Sequence, residues 1–180
     1  MNRTILAGFV LPAFAAVVVG CSASEPAVPP PVHNAADVTF AQDMIPHHEQ
    51  AVAMAAPAPR HTGDRRVLAL AKQIQQAQQP EIDQLTAWLR EWGAPSGMAH
   101  GSPGDMKMPG LVDPAGLDRL RGGAYDREWL ELMIEHHAGA VEMARTELAQ
   151  GSAAEAKAMA RRIVDTQQAE IASMKAILGD

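Results

Sequence analysis

The sequence predicts an all-α protein, a four-helix bundle built from two repeated helical hairpins. Three observations carry that prediction. The stretch Met44-Ile45-Pro46-His47-His48-Glu49-Gln50-Ala51-Val52-Ala53-Met54 returns as Met133-Ile134-Glu135-His136-His137-Ala138-Gly139-Ala140-Val141-Glu142-Met143, with every position displaced by 89 residues. The same displacement carries Ile74, Gln78, Gln79, Glu81 and Ile82 onto Ile163, Gln167, Gln168, Glu170 and Ile171, so the repeating unit is two helices long. Finally, 47% hydrophobic content with only 4% aromatic residues favours helix over strand, and 180 residues suffice for one domain with a real core.

The first element is not part of the bundle. Arg3 precedes an apolar run from Ile5 to Val19 that is broken by Pro12 and ends in Val18-Val19-Gly20-Cys21, a pattern that resembles a bacterial lipoprotein signal. About 15 apolar residues are short for a membrane span. Residues 1–20 are therefore expected to be removed and Cys21, the single cysteine, to be lipidated, which places the domain in the cell envelope, anchored to a membrane outside the cytoplasm. Residues 21–36 hold four prolines and form a semi-extended tether. With Arg3 gone the count is 14 basic against 21 acidic side chains, a net charge of −7, which argues against nucleic-acid binding. No second cysteine is present for a disulfide, and no thiolate remains for a metal site.

The domain covers 37–180, with repeats at 37–92 and 126–180 and a linker at 93–125. Helix one is expected from Asp37, as N-cap, to Ala56, where Pro57 and Pro59 stop it. Pro46 should kink it beside the His pair. Helix two should run from Asp64 to Trp92 with Val67, Leu70, Ile74, Leu85, Trp88 and Trp92 as its apolar stripe. Gln78 and Glu81 fall on that stripe, as Gln167 and Glu170 do in the second copy, and buried polar groups need partners. A hairpin turning near residue 60 would set Glu81 about 12 Å along the bundle from His47, making it a supporting group or a partner for the other hairpin rather than a direct ligand beside its own hairpin's His.

The linker is long enough for a crossover of the ferritin-like kind, with a short helix expected from Pro114 to Arg121 capped by Asp113. Met98, His100, Met106 and Met108 gather soft donors in it that suit Cu(I), or else cover the end of the bundle. Helix three should begin at Tyr125-Asp126 and reach Ala149. Helix four should continue from the Gly151-Ser152 turn to Leu178 with Met159, Ile163, Gln167, Glu170, Met174 and Ile177 inward.

On a helix advancing about 100° per residue, the imidazoles and thioethers of each phrase share one broad apolar face, and adjacent histidines diverge by roughly 100°. One of each pair can ligate while its neighbour supports it. The doubled phrase, followed in each half by Ile-x-x-x-Gln-Gln-x-Glu-Ile, resembles the bacterial DUF305 family (domain of unknown function) over residues 37–178. That resemblance implies a ferritin-like bundle, export and copper handling. Carried over position by position, it implicates Met44, His47, His48 and Met54 with Met133, His136, His137 and Met143 as metal donors. Gln78, Glu81, Gln167 and Glu170 would support them.

Two readings compete with copper binding or buffering. In one, the histidines are a polar core satisfied by those four Gln and Glu side chains, in an envelope scaffold or partner-binding module. In the other the protein is an enzyme, which the motifs disfavour: no Glu-x-x-His pair of a di-iron oxidase and no His-Glu-x-x-His of a zinc protease occurs. Whether the two His pairs form one site or two depends on whether helices one and three meet antiparallel at mid-bundle.

Overall fold

A computed structural model describes residues 33–97 and 108–179. The leader, Cys21, the tether up to residue 32, and Met98, His100 and Met106 lie outside the described residues. Four helices make up the domain: α1 (Ala35–Ala55), α2 (Arg65–Glu91), α3 (Gly122–Gln150) and α4 (Ala154–Leu178). Among the described residues no helix is long and apolar enough to cross a membrane.

α1 starts earlier than the sequence suggests. Asn34, not Asp37, is the N-cap: its Oδ1 accepts from the amides of Ala36 and Asp37 at 2.8 and 3.2 Å, while Asp37 Oδ2 accepts from Asn34 N at 2.6 Å. This reciprocal box draws the last residues of the supposed tether into the helix. Asp37 also accepts from the amides of Ser152 and Ala153, so it caps α4, whose own N-cap Ala153 has no side chain to do so. Pro46 lies inside a continuous α1, and His33 stacks on Trp92.

α3 begins three residues before Tyr125, at Gly122. The expected helix over 114–121 shrinks to a single 3₁₀ turn, Leu117–Arg119; Asp113 caps only the local turn, accepting from Ala115 N at 3.0 Å. Gly116, two positions inside the expected helix, explains this, since glycine disfavours propagation of a short helix.

The order of core residues gives the helix directions. Phe40 and Met44 pack with Leu85, Trp88, Ala140, Met159 and Ile163 at one end; Met54 packs with Ile74, Trp129, Met133 and Met174 at the other. α1 and α4 therefore run one way and α2 and α3 the other. Parallel α2 and α3 require the linker to travel the length of the bundle, which is the crossover the sequence predicts. Between the two apolar ends lies a polar layer of His47, His48, Gln78, His136, His137 and Gln167, all buried.

Candidate metal centre

The layer exists because α1 and α3 pack antiparallel at the same point of the repeat. His47 and His136, equivalent residues, face each other with ring centroids 3.8 Å apart and planes inclined by 36°. Both are 0% exposed, and none of their four ring nitrogens has a hydrogen-bond partner. The two motif copies thus share one layer.

The outer histidines are held differently. His48 Nε2 lies 2.9 Å from Glu81 Oε2 and His137 Nε2 lies 2.8 Å from Glu170 Oε2. Each carboxylate orients a ring within its own hairpin, as a supporting group does. The depth expected for Glu81 is overturned. A bond between residues 48 and 81 sets the pairing of α1 with α2 about residues 64–65 rather than 60, because Ala58–Arg60 continues past α1 as a 3₁₀ turn before the chain enters α2. Glu170 also accepts from Gln73 Nε2 at 2.9 Å, tying the two hairpins together. Gln78 lies in the layer with both amide atoms unpartnered, and Gln167 with its Oε1 unpartnered.

Electrostatics keep the facing rings neutral. Burial, reinforced by His48 and His137, lowers His47 to about 3. Burial and the facing His47 lower His136 to about 2. The Pro109 carbonyl works against the shift at His47 and the His47 backbone against that at His136, although no nitrogen of either ring completes a hydrogen bond of good geometry. A neutral imidazole has one N–H and one lone pair, so each ring has a donor atom ready for a metal.

The four methionines divide into two kinds. Met44 and Met133, fully buried, stand one turn from the imidazoles on opposite sides of the layer. Met54 and Met143 stand two turns away, about 10 Å along their helices. Met54 is in an apolar cluster, whereas Met143 is half-buried beside a cavity. Among the described residues no group of three or more His, Cys, Asp or Glu side chains is arranged to hold a metal ion. A metal at this layer would draw on thioethers as well as on the paired rings, a donor set that fits a soft ion.

Three residues that tie elements together were not singled out from the sequence, two beside the His layer and one, Glu147, about three turns away along α3. Glu147 is buried against Asp37 where α1 meets the α3–α4 turn. Gln50 and Gly139 hold the linker beside the His layer. The repeat did carry a signal for the last two: they are equivalent positions at which the otherwise similar phrases differ.

Comparison with known proteins agrees with this architecture. The chain is similar to a DUF305 fragment from Deinococcus radiodurans, at 38% identity over 83% of this chain and 99% of that one, with a TM-score of 0.74. It is similar to a DUF305 protein from Streptomyces coelicolor, described as a candidate secreted protein, at 34% identity over 80% and 92% with a TM-score of 0.73. CopM, solved in Cu(I)-, Cu(II)- and Ag-bound forms, is similar at 28% identity in the Cu(I) form, over 78% and 93%, with a TM-score of 0.67. Among functionally curated proteins none matches. The model of the family described as Domain of unknown function (DUF305) matches residues 37–178, and the chain belongs to that family.

Proposed function

We propose that this protein binds and buffers copper outside the cytoplasm. His47 and His136 would be the nitrogen ligands, Met44 and Met133 the flanking thioethers, and His48 and His137, braced by Glu81 and Glu170, the support. The observation that carries this is the pair of buried, neutral, facing imidazoles with four unpartnered nitrogens. A buried polar atom without a partner costs about 1–3 kcal/mol, a poor way to build a core but a natural way to keep a ligand set ready. The copper- and silver-bound forms of CopM support the choice of metal. Imidazole accepts both copper states and thioether favours Cu(I).

Glu81 and Glu170 are each engaged with a histidine, and no Ser, Thr, Cys or Lys nucleophile stands beside those pairs among the described residues of the layer, so we read the role as binding rather than catalysis. Lipidation at Cys21 rests on the leader pattern alone, and export on that pattern and on the description of the Streptomyces relative as a candidate secreted protein. The mature wild-type protein should begin at Cys21 and carry added lipid mass, both lost in Cys21→Ser by intact-mass analysis; an unmodified wild-type Cys21 would exclude the anchor.

The deciding experiment is anaerobic Cu(I) titration of the purified protein against a competing chelator, beside His47→Leu/His136→Leu. Tight binding lost in the variant is the expected result. Undiminished binding would move the site to the methionine-bearing linker. Absence of binding in both proteins, with Cu(II) also negative, would leave the layer as a polar core.

A further inference from the structure

We propose that Met108–Val112 is a latched strap closing the way to the paired imidazoles, and that Gln50 and Gly139 are the positioning residues that hold it shut. This rests on reading His47 and His136 as the metal ligands. Each latch residue lies three positions after its histidine, hence one turn further along the same helix.

The two sides hold the strap by different means. From α1, Gln50 Nε2 donates to the Val112 carbonyl and Gln50 Oε1 accepts from the Val112 amide, both at 3.1 Å. The side-chain amide thus grips the linker as a neighbouring strand would. On α3, Gly139 provides a seat: a Cβ there would stand 2.2 Å from the Pro109 oxygen and 2.5 Å from Gly110 Cα. Glycine weakens a helix interior relative to alanine, and the strap accounts for its presence. Gly110 is equally constrained, with φ of +76° and a virtual Cβ 2.7 Å from the His136 carbonyl oxygen.

The strap sits where an ion would have to pass. Pro109 places its carbonyl against the His47 ring and also lines a cavity of about 350 Å³ between α1 and α3, with Asp43, Glu142 and Met143 along its wall. Met108, which opens the strap, is itself buried. Releasing the strap means breaking the two Gln50 bonds, lifting backbone from Gly139 and withdrawing Val112 from the edge of the cluster around Met54 and Trp129. The repeat supplies the ligands twice and the latch once, so the linker closes one side of an otherwise symmetric layer.

The test uses the full protein without metal. Diethyl pyrocarbonate modifies accessible imidazoles, and mass spectrometry gives a rate for each histidine in wild type, Gln50→Ala and Gly139→Ala. Modification of His47 and His136 should accelerate roughly tenfold or more in Gln50→Ala, the scale set by losing two hydrogen bonds, with His61 unchanged. Gly139→Ala should act likewise although alanine favours the helix. With Cu(I) bound, transfer to a chelator should accelerate in both variants at unchanged stoichiometry.

Equal rates for His47 and His136 in all three proteins would overturn the strap. Acceleration that includes His61 equally would mark global opening and also overturn it. Failure of wild type to bind Cu(I) would overturn the metal reading alone, because the metal-free rates test the strap by themselves.

Discussion

At the scale of single residues, the His layer trades stability for readiness. Replacing both His47 and His136 with Leu removes four unpartnered nitrogens from the interior. The metal-free variant should gain about 1–3 kcal/mol, seen as a rise in Tm of several degrees by calorimetry, while losing copper. A lower Tm would show that the rings are satisfied in the native state. The two bracing carboxylates should not be equivalent. The Glu170 side chain is 3% exposed and holds both His137 and Gln73, whereas Glu81 is 20% exposed and holds His48. Glu170→Ala should therefore cost about 2–3 kcal/mol in chemical denaturation, and Glu81→Ala roughly half of that.

Between elements, the junction of α1 with the α3–α4 turn is held by a carboxyl pair. Asp37 is buried, which alone would raise it, but amides of Asn34 and Ala153 and the Glu147 side chain hold it below its usual value. Glu147, 1% exposed, is pushed up to about 8 by burial and then by hydrogen bonding and charge repulsion with Asp37. As a neutral acid it can donate to that carboxylate. The folded chain keeps the Glu147 proton between its ordinary value of 4.5 and about 8, where the unfolded chain has released it. This contribution to stability is complete below pH 4.5, falls as pH rises to 8 and is flat beyond. Glu147→Gln should flatten that part of the pH–stability curve, and an unchanged slope would assign it elsewhere. Gly151 belongs to the same junction, since a Cβ there would collide with the Glu147 carboxyl.

For the whole molecule, the facing histidines act in the opposite sense. Their folded values of about 3 and 2 lie below the ordinary 6.5, so the unfolded chain takes up protons first as pH falls. Metal-free stability should drop as pH decreases from 6.5 towards 3, and His47→Leu/His136→Leu should remove that acid sensitivity. Bound Cu(I) should raise Tm with the logarithm of free copper, because a ligand spanning α1 and α3 binds only the folded bundle. A Tm independent of copper would contradict a site shared by the two halves.

What the sequence determined by itself was whatever repeats or follows helical period. The 89-residue displacement, the apolar stripes and the proline and glycine breaks specify four helices, two hairpins and a crossover, because helix periodicity and turn chemistry are local. The same locality put the His and Met side chains of each phrase on one helix face and marked Glu81 and Glu170 as polar groups on an apolar stripe that need partners. Tertiary structure decided the rest. Only the antiparallel packing of α1 on α3 brings His47 to His136, and only the observed pairing of α1 with α2 brings Glu81 to His48. Asp37 read as a local cap because its second partners, Ser152 and Ala153, lie more than a hundred residues away. Gln50 and Gly139 likewise take their meaning from a linker segment that touches both helices at once. Contacts between segments distant in the chain are set by how the elements pack, and the pattern within any one element carries no record of them.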